Sequence, residues 1–191
     1  MIKIGLFIDG EFLNHASLHY RHNTNIGKYI SVSKFKSFVE ELYKKLSKTK
    51  DRTRIIDAHY FRGRHTAEES RDNNKLYGDR KMDEELNDSG IISHYHPIVR
   101  GREKGVDVHF ALTAYEHTID KKLDVVIVIT GDGDYVPLIE KLNNLGVDTM
   151  VVGWTWFNND DPSKTICTSQ DLMNAAIYSS KISNIEYPDI F

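Results

Sequence analysis

The sequence predicts an α/β fold, a three-layer α/β/α sandwich around a central, mainly parallel sheet. Short apolar runs alternate with segments of helical spacing along the whole chain, the order that builds a parallel sheet with helices on both faces. The runs at 2–8 (IKIGLFI) and 124–130 (DVVIVIT) are continuous rather than alternating, as in strands buried on both faces. No repeat, low-complexity tract or linker interrupts the 191 residues, so residues 1–191 are expected to form a single domain.

Each element has a local reason. Residues 33–47 place Phe35, Phe38, Val39, Leu42 and Leu46 on one helical face, with Ser33 as the expected N-cap. A second strand is predicted at 53–61. Thr66 and Glu69 have capping-box spacing and open a charged, weakly amphipathic segment. The third strand, 91–99, contains Pro97, which places it near an edge. A basic link, RGREKG, leads to a helix at 106–118. The fourth strand runs into GDGD and a helix beginning near Tyr135, with Pro137 in its first turn and Gly146 at its end. A fifth strand at 147–153, a polar aromatic loop and a last helix at 169–181 complete the prediction.

Composition narrows the functional classes. An apolar content of 40% with 28% charged residues describes a globular chain rather than a disordered one. The single cysteine, Cys167, excludes an internal disulfide framework and a cysteine-based zinc site, and it fits a reducing cytoplasm. The opening MIKIGLFIDG is built wrongly for a signal peptide, and no stretch is long enough to span a bilayer, so no membrane partner is expected. A net charge of −3 argues against retention on nucleic acid by bulk charge. It leaves room for a nuclease in which acidic ligands offset a local basic patch. Arg52, Arg54, Arg62, Arg64, Arg71, Arg80, Arg100 and Arg102 fall in the central third, interspersed with acids.

In open parallel sheets ligands bind beyond the carboxyl ends of the strands, near the switch point. Asp9 ends the first strand, and Asp132 and Asp134 follow the fourth. If those strands are neighbours, three carboxylates meet at one crevice, with Asp107, near the start of the helix after the third strand, entering from the same rim. Each also has a plainer role: Asp134 as a helix cap, Asp9 as a turn residue. Clustered carboxylates repel by roughly a kcal/mol or more per close pair, and a bound cation relieves this. Hard oxygen donors suit Mg2+ or Mn2+, which activate water and stabilise charge on a phosphodiester. Gly131 and Gly133 permit a tight turn, and the absence of GxxxxGK[ST] argues against nucleoside triphosphate hydrolysis.

Three segments, FIDGEFL (7–13), KGVDVHFALTA (104–114) and ITGDGDYVPLIEKL (129–142), together resemble the NYN domain, a PIN-like nuclease family that includes LabA-like proteins. The resemblance covers residues 1 to about 180. It implies a PIN-like, Rossmann-like fold and metal-dependent endonuclease cleavage, usually of RNA, leaving a 5′-phosphate. It implies Asp9, Asp107, Asp132 and Asp134 as the catalytic and metal-binding acids, with Thr130 at the family's small hydroxyl position. Asn14 and Lys104 are further candidates for substrate contact. By analogy with small PIN-like proteins, a homo-oligomer is an expected state. The chain departs from the family pattern at Phe12, where asparagine is common, at Thr113, where many relatives carry an aspartate, and near Ala176, where an acid is often found. These departures keep a non-catalytic RNA- or protein-binding regulatory module open as the alternative. A phosphatase using DxDxT is disfavoured because the first strand ends in DGE.

Other features carry a plain reading beside a functional one. His15, His19 and His22 have the spacing to share a helical face as zinc ligands or to edge the crevice. His94 and His96 alternate on a strand and are expected as satisfied, partly buried histidines. Trp154, Trp156 and Phe157 either stack on bases or pack against protein.

Overall fold

The first strand, β1 (Ile2–Asp9), is the sheet's hydrophobic axis: Ile4, Leu6, Phe7 and Ile8 are fully buried, so both of its faces must be covered. A computed structural model describes residues 1–72, 75–98, 103–157, 165–185 and 188–191. After β1 come α1 (Gly10–Asn23), α2 (Val32–Ser47), β2 (Thr53–Arg64), α3 (Ala67–Asp72), α4 (Leu76–Asp88) and β3 (Ile92–Pro97). The second half comprises α5 (Val106–Asp120), β4 (Val125–Ile129), α6 (Val136–Asn144), β5 (Asp148–Gly153), α7 (Gln170–Ala175) and β6 (Tyr178–Lys181). The six strands form one parallel sheet in the order β3-β2-β1-β4-β5-β6. The chain winds outward from β1 in one direction and from β4 in the other, so the switch point lies between them.

Alternation along the strands sorts the core into two layers. Ile4, Leu6 and Ile8 meet Phe35 and Val39 of α2 on one face. Phe7, Val126 and Val128 meet Phe110 of α5 and Ile139 of α6 on the other. The predicted three-layer α/β/α sandwich is the observed fold.

Several boundaries differ from expectation, each for a physical reason. α1 has no clear apolar stripe in the sequence because few of its side chains are buried: Leu13, Ala16, Ser17 and Tyr20, with Gly10 at its start. The second helix begins at Val32, and its N-cap is Ser31 rather than Ser33; the Ser31 side chain makes no capping bond. β2 continues past 61 to Arg64, paired throughout with the edge strand β3, in which Pro97 is the last residue. Val99, the end of the predicted third strand, lies outside the described residues, as do Arg100 and Arg102. The Thr66–Glu69 capping box forms, with Thr66 N donating to Glu69 Oε2 at 3.0 Å and Glu69 N to Thr66 Oγ1 at 3.3 Å. The helix predicted at 169–181 splits. α7 stops at Ala175, and residues 178–181 become β6 because the edge of β5 offers ladder partners, Met150↔Tyr178 to Gly153↔Lys181. Among the described residues, no helix is long and apolar enough to cross a membrane.

The aromatic loop resolves mainly into core. Trp154 is fully buried, its ring edge-on to Phe12, and its Nε1 donates to Tyr20 Oη at 3.2 Å. Trp156 is half-buried and stacks on His19 with 4.1 Å between centroids, while Phe157 is exposed. Trp154→Ala is therefore expected to lower the unfolding free energy by about 3–5 kcal/mol, measured by urea denaturation. Phe157→Ala should shift it by no more than about 0.5 kcal/mol.

Histidines line the sheet beneath α5. His94 Nε2 meets His59 Nδ1 at 2.8 Å, and His96 Nε2 meets His109 Nδ1 at 2.8 Å, so both strand histidines are satisfied. Burial first, then repulsion from His59 and the other histidines, pulls the His94 pKa from 6.5 to about 4. Burial and neighbouring histidines also lower His109. In the unfolded chain these rings take up protons that the folded chain refuses, so stability falls as pH drops from 6.5 toward about 4. Urea midpoints should decline across that window, and His94→Phe should flatten the decline.

Candidate acidic metal centre

The candidate site grows from the ends of β1 and β4. Their parallel register, Ile4↔Val125 through Ile8↔Ile129, brings Asp9 beside Thr130. Asp9 is the N-cap of α1: its Oδ1 accepts from the backbone N–H groups of Glu11 and Phe12, each at 3.1 Å. Its Oδ2 accepts from Thr130 Oγ1 at 3.0 Å. The same hydroxyl accepts from Asp132 N at 3.3 Å, so buried Thr130 fixes both the first aspartate and the start of the GDGD turn.

The turn itself is capped by Asp132, whose Oδ1 accepts from Asp134 N at 2.9 Å and starts a 3-10 turn, Gly133–Tyr135. Capping thus falls to Asp132, not to Asp134 as the sequence suggested. Gly131 is required by close approach: a Cβ there would lie 2.6 Å from a Phe12 ring carbon and 2.9 Å from the Cys167 carbonyl oxygen. From the opposite side, Asp107 in the first turn of α5 accepts a hydrogen bond from Tyr135 Oη at 3.0 Å. Gly105, the residue that caps α5, has φ 74°, a conformation that explains glycine in KGVD.

The electrostatics tie these groups together. Burial, followed by the charges of Asp9 and Asp107, its hydrogen bond to Asp107 and the charge of Asp132, drives the Tyr135 phenol far above its ordinary value, so it is a permanent donor. The Asp9 pKa is also raised, by burial above all and further by Asp107, against the hydrogen bonds from Phe12, Thr130 and Glu11 that favour its ionised form. Asp134 is exposed at the outer edge of the turn. Asn14 is half-buried one turn into α1, and Lys104 is exposed just before Gly105.

Glu11 and Glu103 extend the site beyond the sequence-derived set, and of the central arginines Arg62 joins them. Glu11, inside FIDGEFL, pairs with Arg62 Nε at 3.2 Å and with His15 Nε2 at 3.0 Å. Glu103 folds against Gly63, and burial, then the charges of Glu11 and Asp9, raise its pKa. Arg62 reaches this crest because β2 runs three residues longer than predicted, to Arg64. Beside the crest lies a groove lined by Glu11, Arg62, Arg64, His65, Lys75 and Glu103 among others. Glu11 was open to recognition from its motif; Glu103 and Arg62 depend on pairing between elements distant in sequence.

The four predicted aspartates and Thr130 share one rim but are not drawn into a tight ligand set. Among the described residues, one group of three places a ligand atom each within 4.8 Å of the others, and it is Asp57, His59 and His117, away from the rim. His15, His19 and His22 do not converge: His15 pairs with Glu11, His19 stacks on Trp156, and His22 lies edge-on to Tyr29. Thr113 is buried in α5, roughly 9 Å along the helix from Asp107.

An acidic rim at the switch point of a parallel α/β sheet defines a Rossmann-like domain. The NYN domain family model matches residues 3–181, and the chain belongs to that family. A crystal structure of a protein of unknown function from Vibrio parahaemolyticus superposes with a TM-score of 0.64 at 20% identity, over 96% of this chain and 94% of that one. That similarity bears on the fold alone. A comparison with curated proteins finds no match.

Thr130→Val removes one of the three hydrogen bonds that favour the Asp9 carboxylate. Asp9 should then titrate at a higher pH than in the wild type, as followed by carboxyl carbon NMR.

Proposed function

We propose that this chain is a Mg2+- or Mn2+-dependent endonuclease that cuts phosphodiester bonds of RNA at the rim formed by Asp9, Asp107 and Asp132, with Asp134 at its edge. The observation that supports this most is the gathering of three carboxylates around the Tyr135 hydroxyl, whose pKa they raise together. All the donors are hard oxygens, and no ion pair between these three acids and a lysine or arginine occurs among the described residues. Such a set fits magnesium or manganese. A divalent ion there supplies a Lewis acid and a bound water of lowered pKa.

The chain's own residues do the rest. Thr130 and the amides of Glu11 and Phe12 hold Asp9 in one rotamer, and Tyr135 holds Asp107. The adjoining groove mixes Arg62, Arg64, His65 and Lys75 with Glu11, Asp79 and Glu103, and its cations are the groups proposed to meet a phosphate backbone. The His19–Trp156 stack and exposed Phe157 suit unpaired bases. Asn14, Lys104 and Thr130 are proposed as substrate-side residues. A cytoplasmic location and a homo-oligomeric state belong to the same proposal; sedimentation tests the latter.

A binding-only module is the second reading, and one observation favours it: among the described residues, no three rim carboxylates approach within 4.8 Å. Labelled RNA and DNA incubated with Mn2+, with chelator, and with Asp132→Asn separate the two. The enzyme is expected to cleave RNA, to stop with chelator, and to lose at least roughly 100-fold in rate in the variant. Intact substrate with every metal, together with retained RNA binding, would establish the binding module.

A further inference from the structure

Under α5, outside the rim, three side chains point at one spot. Asp57 and His59 stand two residues apart on the same face of β2, and His117 comes from the last turns of α5. Asp57 Oδ2 lies 3.0 Å from His59 Nε2 and 2.8 Å from His117 Nδ1. The Asp57 and His59 side chains are only 2% and 1% exposed, whereas His117 at 26% reaches solvent. The His59 ring lies flat against Phe7, with 5.2 Å between centroids.

This is more polar equipment than a salt bridge requires. Lys121 Nζ already holds Asp57 Oδ1 at 2.5 Å. Two imidazoles are then spent on the other oxygen. His59 Nε2, although close to it, meets no partner in hydrogen-bonding geometry and is buried. His59 Nδ1 faces His94 Nε2 at 2.8 Å, so a proton on Nδ1 leaves a lone pair on Nε2 aimed into the cluster. His117 Nδ1–H donates to Asp57 Oδ2 at 2.8 Å; once that proton leaves, one carboxylate oxygen and two imidazole nitrogens face one spot, a donor set that takes a cation in the proton's place.

We propose that Asp57, His59 and His117 form a second metal site, selective for zinc-like transition ions rather than the hard ions suited to the rim. An N2O donor set with one position open matches four-coordinate zinc. Ligand atoms around tetrahedral zinc sit roughly 3.3 Å apart, so the 2.8 Å between His117 and Asp57 must widen, which a small rotation of the partly exposed His117 ring allows. The outer partners are in place: His94 on the far nitrogen of His59 and Lys121 on the far oxygen of Asp57. Such an ion would rivet β2 to the end of α5, the helix whose first turn carries Asp107.

The site is tested on the full chain, stripped with chelator and titrated with Co2+ and then Zn2+. One cobalt ion per chain with the intense visible bands of four-coordinate geometry is expected, displaced by zinc. Zinc in hundredfold excess over Kd should raise the thermal midpoint by roughly 5–10 °C. His117→Ala should abolish the bands and weaken binding at least roughly 100-fold, and His117→Gln serves if the alanine variant misfolds. Asp132→Asn should keep the bands, which separates this site from the rim. Absence of four-coordinate cobalt in the wild type, or its survival in a folded His117 variant, overturns the proposal. Either result would leave a hydrogen-bonded ion-pair network and no metal site.

Discussion

The parallel pairing of β1 with β4 is the constraint from which the rest of the molecule follows. These strands adjoin in space while all of β2 and β3 separates them in sequence. Their union creates the switch point, and with it a crevice at which two loops leave in opposite directions. The Asp9–Thr130 hydrogen bond is its local expression. It joins the end of one strand to the end of the other and leaves the GDGD turn nowhere to go but over the crevice.

Capping and function are not alternatives in this crevice. Asp9 and Asp132 each close a helical turn with one carboxylate oxygen. At Asp9 the amides at the positive end of α1 favour the ionised form against the burial that raises its pKa. The same bonds that satisfy the turns therefore hold charged groups close together, and Tyr135 registers the accumulated field. Phe12 takes a structural part: packed against Trp154 and the bare Gly131 backbone, it forms a floor where polar function would otherwise be expected.

α5 links two regions of different chemistry. Its first turn presents Asp107 to an all-oxygen rim, and its last presents His117 to a nitrogen-rich cluster between α5 and the sheet. Hard and borderline ions sort between such sites by donor type. Phe7, Phe61 and Phe110 lie between them and keep the two polar regions apart.

The sequence by itself determined the α/β class, five of the six strands, the family motifs and the four aspartates as candidates, because continuous apolar runs and motif spacing are local properties of the chain. It marked β6 as helix, since a short amphipathic stretch takes its state from whatever edge it meets, and here that edge is β5. It ended β2 early and named Arg62 only as one of eight central arginines, because the extension that places it beside Glu11 is fixed by pairing with β3. Only the tertiary structure decided which strands adjoin, that Trp154 is core, that Glu103 folds back on Gly63, and that Asp57, His59 and His117 share one point. Each of these is a contact between residues far apart in the chain, and no local pattern encodes the register and helix placement that bring them together.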